Sequence, residues 1–95
     1  MLKSFKDSAL KRLWEDGRSK GIDPKSRAKI ERILQKLDAI ASPQELAQEQ
    51  GYHFHELSGD RKGVYSVTIR ANWRITFEWD GDHVVRVDQE DYHGR

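Results

Sequence analysis

The hydrophobic pattern of this chain changes period once, at Gly51, and this change limits the folds that the chain can adopt. Before Gly51 the apolar residues recur every three or four positions, as on one face of a helix. After Gly51 they alternate with polar residues, as on a half-buried strand. Helices followed by short strands predict an α+β fold, with the helices on one face of a small, mainly antiparallel sheet. The 95 residues are enough for one modest core, so we expect a single domain over 1–95.

The first half of the chain carries start and stop signals for two helices. Asp7 stands at a capping position, and Gly17 can end the helix that follows. Asp23 is expected to cap a second helix, with Pro24 in its first turn, that runs to about Ala41. The apolar stripe of the second helix consists of Ile30, Ile33, Leu34, Leu37 and Ile40.

Two shorter segments flank these helices. The opening "MLKSF" (residues 1–5) is expected to be a short strand. "SPQE" (residues 42–45) has the spacing of a capping box with proline at the first helical position, and it predicts a further short helix.

The second half of the chain predicts a four-stranded meander. The strands are "YHFHEL" (52–57), "VYSVTIR" (64–70), "WRITFEW" (73–79) and "HVVRVDQ" (83–89). A polar loop (58–63), a tight turn at Ala71-Asn72 and a hairpin turn at Asp80-Gly81-Asp82 connect them. One face of the third strand is apolar and consists of Trp73, Ile75, Phe77 and Trp79. This face needs a partner, and the stripe of the second helix is the available one.

Composition excludes several classes of protein. The chain has no cysteine, so it has neither a disulfide framework nor a thiolate metal site, which suits a reducing cytoplasm. No apolar run approaches the ~20 residues of a membrane span, and the N-terminus lacks the features of a secretory signal. Charge is uneven: residues 1–36 carry eleven basic and five acidic side chains, whereas residues 37–60 carry five acidic and no Lys or Arg side chains. Such asymmetry is typical of a surface that binds polyanions, and also of ordinary solvated helices.

Side chains able to transfer protons gather near the C-terminus, at Glu90, Asp91, Tyr92 and His93. A zinc site from His53, His55 and His93 is conceivable, but this spacing matches no standard zinc motif. Glu90 and Asp91 are adjacent on a strand and point to opposite faces, which disfavours a glycosidase-type carboxylate pair. No serine lies in a nucleophile elbow.

Metal-free cleavage of RNA suits these residue types better. Attack by a ribose 2′-OH on the adjacent phosphate needs a proton acceptor, a proton donor and positive charge. Histidine can perform either proton transfer, and Tyr92 can stack on a base or transfer a proton. Arginine binds phosphate bidentately. The loop and strands supply the cations Arg61, Lys62, Arg70 and Arg74.

Three linked pieces of sequence resemble the HigB-type killer toxins of the RelE superfamily. They are "HELSGDRKGVYSVTIRANWRITFEW", the "DGD" turn and the terminal "EDYH". The likeness extends to the "LKSFKD" opening and so covers essentially the whole chain. It implies a RelE-like fold and a ribosome-dependent endonuclease that cuts mRNA in the ribosomal A site without a metal or other cofactor. It also implies neutralisation by a helix-turn-helix antitoxin of the HigA type, through which alone the toxin would reach operator DNA.

The resemblance also assigns roles to individual residues. It places catalysis on His55, Asp91, Tyr92 and His93. Arg74 of "NWRI" and Arg61 of the basic loop become phosphate contacts. Relatives often have lysine where this chain has Ser58, so Arg61 or Lys62 is expected to supply more of the charge of the loop.

A basic stripe on the second helix is visible without reference to any family. Lys25, Lys29, Arg32 and Lys36 are spaced by 4, 3 and 4 residues, which places them on one face, roughly 110° around the helix from the apolar stripe. This face is either solvated or RNA-binding. Two other functions remain open: a non-catalytic RNA- or ribosome-binding inhibitor, and a DNA-binding regulator, although no recognition helix is evident.

Overall fold

The first helix begins and ends where its capping residues predict. The computed structural model describes residues 1–91, and α1 spans Ser8–Asp16. The Asp7 carboxylate accepts a hydrogen bond from the Leu10 N–H at 2.8 Å. Gly17 ends the helix in the left-handed region, with φ of 72°, where a residue without Cβ is not strained.

The second helix, α2, spans Arg27–Ala39, so the predicted start at Asp23 is wrong. Asp23 and Pro24 form a separate turn instead. The Asp23 carboxylate accepts from the Lys25 N–H at 3.1 Å and from the Ser26 hydroxyl at 3.2 Å. The side chain therefore caps this turn, and Ser26 occupies the N-cap of α2. The predicted apolar stripe is confirmed, because all five of its residues are buried.

The predicted short helix after α2 is present as a 3₁₀ helix over Pro43–Gln48. The Glu45 carboxylate accepts from the backbone N–H groups of Ala41 and Ser42, at 2.7 and 3.0 Å. Leu46 is fully buried and fixes this segment to the core.

The four strands form an antiparallel sheet in the order of the chain, which confirms the meander. They are β1 (His55–Glu56), β2 (Val64–Arg70), β3 (Trp73–Asp80) and β4 (His83–Asp91). The strand β1 is shorter than predicted, because His53 has a positive φ of 47° and breaks the extended backbone. A second 3₁₀ helix, Gly59–Arg61, lies within the predicted polar loop. Both predicted turns are present, with positive φ at Ala71 and Gly81.

An irregularity in β4 alters its pairing with β3. Before it, Glu78 lies opposite Val85; after it, Thr76 lies opposite Asp88, so β4 contains one extra residue. Arg86 adopts a φ of 55° at this point, as expected for a bulge. The bulge turns both Val84 and Val87 into the core.

The opening segment pairs with β4 rather than forming a continuous strand. Leu2 and Phe5 make isolated parallel bridges to Val84 and Val87. The Lys3 N–H donates to the Val84 carbonyl at 2.8 Å, and the Val87 N–H donates to the Ser4 carbonyl at 3.1 Å.

A single hydrophobic cluster joins the helices to one face of the sheet, as predicted. Ile75 and Phe77 of β3 are fully buried in it, and Trp79 packs against it, whereas Trp73 at the start of the strand is 43% exposed. Phe54, Tyr65 and Phe77 stack in series across the sheet, with centroid separations of 5.7 and 5.5 Å.

No helix in residues 1–91 is long and apolar enough to cross a membrane. The opposite face of the sheet carries polar side chains.

Candidate functional site

The polar face of the sheet brings together side chains from all four strands. The register aligns His55, Ser66, Thr76 and Asp88 in one row across the sheet. Arg74 and Glu90 form the next cross-strand pair of β3 and β4 on the same face. Partners in an antiparallel ladder project to the same side, so all six residues share this face. From the strand spacing, His55 lies about 10 Å from Thr76.

His55 is exposed on β1, and its tautomer is set by a local hydrogen bond. Its Nδ1 lies 2.9 Å from the carbonyl oxygen of His53. A carbonyl only accepts, so Nδ1 is the donor in this bond, and Nε2 is the ring nitrogen left to exchange a proton with a substrate. The positive φ of His53 turns its carbonyl toward the ring. The same backbone kink removes His53 from the strand, so the two rings do not share a strand face as the zinc hypothesis required. Among residues 1–91 no group of three His, Cys, Asp or Glu side chains could hold a metal ion.

Glu90 holds both predicted phosphate-binding arginines. Its carboxylate accepts two hydrogen bonds from the Arg61 guanidinium, at 3.0 and 2.7 Å. Arg74 donates to it at 3.2 Å, and the Thr76 hydroxyl at 2.9 Å. Arg61 comes from the loop after β1, so Glu90 also fastens this loop across the polar face of the sheet. Glu90 and Arg74 are mostly buried, at 20% and 13% exposed, whereas the Arg61 side chain is 41% exposed.

The hydrogen bonds among Glu90, Arg61, Arg74 and Thr76 favour the charged forms of Glu90 and Arg61. Hydrogen bonding from Arg61, together with that from Thr76 and Arg74, lowers the pKa of the Glu90 carboxyl to about 2, against the opposing effect of burial. The same hydrogen bond raises the pKa of Arg61. Two guanidinium groups therefore converge on one carboxylate, which is an arrangement suited to a phosphate as well.

The other predicted catalytic residues are placed differently. Asp91 is exposed and lies opposite Trp73, so it belongs to the helix-side face rather than the face of His55 and Glu90. The expectation that Glu90 and Asp91 point to opposite faces is thereby confirmed. Tyr92 and His93 lie outside the described residues.

The loop residues Ser58 and Lys62 are both exposed. The Ser58 carbonyl accepts from the Arg61 N–H at 3.3 Å at the start of the 3₁₀ turn. That turn places the Arg61 side chain within reach of Glu90, whereas Lys62 has no side-chain partner in the described part of the chain.

The basic stripe is only partly a helix face. Lys25 lies in the turn before α2, so the prediction that four basic residues share one helix is wrong for this residue. Lys29, Arg32 and Lys36 line a groove of about 700 Å³ together with Glu49, Gln50 and Tyr52. Lys29 donates to the Gly51 carbonyl at 3.2 Å and lies 5.6 Å from the Tyr52 ring centroid. Lys36 pairs with Glu49 at 3.0 Å, which raises the pKa of Lys36, whereas burial lowers the pKa of Lys29.

Glu90 is the residue whose role the sequence did not reveal. Its position on the face opposite Val87 follows from strand alternation, but its pairing with Arg74 depends on the bulge at Arg86. Without that extra residue, Arg74 would lie opposite Gln89. The available signal was the presence of two acidic residues, Asp88 and Glu90, two positions apart in the last strand, where they share a face that a basic strand residue could pair with.

Comparison with known proteins identifies the family. Residues 3–93 match the sequence model of a family described as "RelE-like toxin of type II toxin-antitoxin system HigB". The chain is 41% identical over 95 residues to "Endoribonuclease HigB" of Proteus vulgaris, covering 98% of this chain and 100% of that protein. It is 31% identical over 80 residues to "Toxin HigB-1" of Vibrio cholerae serotype O1, covering 83% and 84% of the two chains.

Solved structures show the same fold. The structure titled "YoeB-YefM complex from Staphylococcus aureus" aligns with a TM-score of 0.61, at 22% identity and 98% coverage of both chains. The YoeB dimer from the same organism aligns with a TM-score of 0.59, at 23% identity and 97% coverage of both chains. The family match over nearly the whole chain and the full-length relative lead to one conclusion: this chain belongs to the HigB family of RelE-like toxins from type II toxin–antitoxin systems.

Proposed function

We propose that this toxin is an endoribonuclease that cuts messenger RNA in the ribosomal A site. The observation that carries the proposal is the polar face of the sheet, where a proton-accepting imidazole and two converging guanidinium groups occupy the same side. The name "Endoribonuclease HigB", carried by a relative 41% identical over the whole domain, supports the same activity.

The chemistry follows from these groups. His55 Nε2 takes the proton of the ribose 2′-OH, and the 2′-oxygen forms a bond to the adjacent phosphorus. The bond from phosphorus to the 5′-oxygen breaks, leaving a 2′,3′-cyclic phosphate and a 5′-hydroxyl. Arg61 and Arg74 bind the phosphate oxygens as negative charge develops on them. Asp91, Tyr92 and His93 are the remaining catalytic residues by resemblance. We assign the proton that the 5′-oxygen receives to Tyr92 or His93, whereas Asp91, on the helix-side face, is assigned no proton transfer.

Glu90 occupies the phosphate position in this arrangement. A carboxylate and a phosphate present similar pairs of oxygens to a guanidinium, so the message would compete with Glu90 for Arg61, the more exposed of the two arginines. Arg74 keeps its hydrogen bond to Glu90 across the ladder, so the carboxylate continues to hold that guanidinium in position beside the phosphate.

The family supports a proposal about the partners of this chain. A toxin of a type II system is neutralised by an antitoxin, and for this chain we propose a helix-turn-helix antitoxin that alone mediates contact with operator DNA. We also propose the ribosome and its message as the targets and the cytoplasm as the location. No cofactor is required by the chemistry described.

Replacing the 2′-OH of the attacked nucleotide with hydrogen is expected to abolish cleavage, because that oxygen is the nucleophile. The measurement is the appearance of new 5′ ends in a ribosome-bound message, with the deoxy substitution at the cut position. A deoxy substitution one codon downstream is the matched control and should leave cleavage intact. Cleavage of the deoxy bond would show that water attacks instead. Intact message with translation still blocked would favour a non-catalytic inhibitor.

The basic residues Lys25, Lys29, Arg32 and Lys36 are proposed to bind ribosomal RNA. Changing all four to Gln is expected to reduce the steepness of the slope of log affinity against log salt by about two to four. Each phosphate contact contributes roughly 0.7 to 0.9 to this slope through counterion release. Because Lys36 already pairs with Glu49, we expect a change in slope toward the lower end of this range. The measurement is ribosome affinity across a salt series.

A matched control exists for this experiment. Changing Lys3, Lys11, Arg18 and Lys20 to Gln removes the same charge from exposed positions outside the groove. Parallel salt dependence of the two variants would show that the stripe acts only through net charge.

A further inference from the structure

Trp73 lines a small pocket at the end of the sheet, on the helix side. Apart from Met1, it is the only large apolar residue in the described part of the chain that is exposed, at 43%. The pocket has a volume of about 210 Å³, and Ile30 and Ile69 supply its apolar wall. An exposed indole beside an apolar recess is a surface on which a planar ring can stack.

A side-chain amide in the pocket is held in a fixed orientation. Gln89 lines the pocket, and its Nε2 donates to the Asp7 carboxylate at 3.1 Å and to the Gly21 carbonyl at 3.4 Å. Because Nε2 makes both of these hydrogen bonds, the Gln89 amide has Oε1 left as a hydrogen-bond acceptor. Gly21 is itself tightly constrained: its φ is +83°, and a Cβ there would come within 2.9 Å of the Ala9 Cβ. The loop carbonyl that holds Gln89 is therefore well fixed.

The rim of the pocket disfavours an anion. Asp23 lines it and carries a carboxylate that already accepts from the Lys25 N–H and the Ser26 hydroxyl. Its distance of 3.9 Å to the Arg70 guanidinium makes a loose, exposed ion pair. The ligand that fits is a neutral planar group with a hydrogen-bond donor, rather than a phosphate.

The pocket lies on the face of the sheet opposite Arg74 and Glu90, at the same ends of β3 and β4. Trp73 precedes Arg74 in the chain, and Gln89 precedes Glu90, while Ile75 and Gln89 are paired in the row beside Arg74 and Glu90. Successive strand residues project to opposite faces. A single RNA strand that passes over this end of the sheet can therefore place a phosphate on one face and an adjacent base against the other.

We propose that this pocket binds one base of the message, with Trp73 stacking on the ring and Gln89 Oε1 accepting a hydrogen bond from an exocyclic amino group. The proposal rests on the proposed function, to which it adds a base-selecting site. Adenine, cytosine and guanine carry such an amino group. Uracil carries only a ring N–H flanked by two carbonyl oxygens, which would repel Oε1. Uridine is therefore the disfavoured nucleotide at this position.

Neutral nucleosides test the pocket independently of cleavage. On titrating the free protein with adenosine, cytidine and uridine, the indole N–H resonance of Trp73 is expected to shift, with uridine binding several-fold more weakly. Trp73→Leu should weaken adenosine binding by roughly 5- to 150-fold, the range for loss of one stacked base. Trp73→Tyr should restore most of it, and Gln89→Leu should remove the discrimination against uridine. Glu78→Ala, which removes only an exposed ion pair on the other face of the sheet, should bind nucleosides like the parent protein.

Each outcome separates the hypotheses. Nucleoside binding without RNA cleavage by the parent protein would leave the pocket intact and remove the proposed function. Equal shifts of Trp14 and Trp79 would indicate non-specific stacking and overturn the base pocket. The base pocket would also be overturned if the Trp73 resonance shifted with none of the three nucleosides and shifted only when the antitoxin was added. The recess would then be a protein-binding surface.

Discussion

Replacing His55 with alanine is expected to slow cleavage of ribosome-bound message by about 10²- to 10⁴-fold, the usual contribution of a positioned general acid or base. The imidazole is exposed on β1, and its proton is held on Nδ1 by the His53 carbonyl, so the substitution removes the proton acceptor and little packing. The measurement is a single-turnover rate on programmed ribosomes. Ribosome affinity should remain within a few-fold of the parent.

His53→Asn is the matched control for this variant. It removes a histidine two residues away but retains the backbone carbonyl, and asparagine tolerates the positive φ of 47° at this position. Near-normal cleavage is expected. Equal loss of rate in both variants would mean that the backbone near β1, rather than the His55 imidazole, limits the reaction.

The second large effect is expected from Glu90→Ala, on both stability and cleavage. The substitution leaves the largely buried Arg74 without its cross-strand carboxylate and releases Arg61 with its loop. Stranding one partner of a buried hydrogen bond costs about 1–3 kcal/mol, and more for charged groups. We expect a lower free energy of unfolding in urea and a reduced cleavage rate, because the two guanidinium groups no longer converge.

Glu78→Ala provides the comparison. Glu78 also pairs with an arginine on the same strand pair, at 2.9 Å to Arg86, but both side chains are substantially exposed. Exposed pairs contribute about 0–1 kcal/mol, so this variant should unfold nearly as the parent does and cleave normally. Similar losses in the two variants would show that Glu90 has no special role.

The pH dependence of stability should report the same cluster. The pKa of Glu90 is lowered to about 2 in the folded protein, chiefly by Arg61, from an ordinary value of 4.5. A depressed carboxyl pKa contributes stability that is complete above the unfolded value and is lost as the pH falls toward the folded one. We expect the parent to lose on the order of 1–2 kcal/mol more than Glu90→Gln between about pH 5 and pH 2, after allowance for the solvent exposure of Arg61. If the two proteins lost the same unfolding free energy over this pH range, the Glu90 cluster would make no pH-dependent contribution to stability.

Much of the fold was predictable because its determinants are local. The cap at Asp7, the left-handed Gly17 and the alternation in β3 each act within a few residues. The start of α2 was predicted wrongly because a capping aspartate before proline fits an isolated turn as well as a helix. Only the contacts of Asp23 with Lys25 and Ser26 distinguish the two.

The candidate site was less predictable because it depends on register. His55 and Arg74 could be assigned to strands, and Arg61 to the loop between them, from the sequence. Their meeting with Glu90 requires the extra residue at Arg86, and the positive φ that creates it belongs to a residue type that does not mark bulges. Placing Asp91 on the other face follows from the same register.

The pairing of the opening segment with β4 has a consequence for the order in which the domain folds. Residues 2–5 bridge to residues 84–87, so segments about 80 residues apart in the sequence meet. Contacts of such sequence separation form late, since they require closure of almost the whole chain. A nascent chain that has not yet exposed β4 lacks Glu90, the carboxylate on which Arg61 and Arg74 converge. The topology thus leaves this face of the domain incomplete until β4 has joined the sheet, and Arg61 and Arg74 are brought together only at that step.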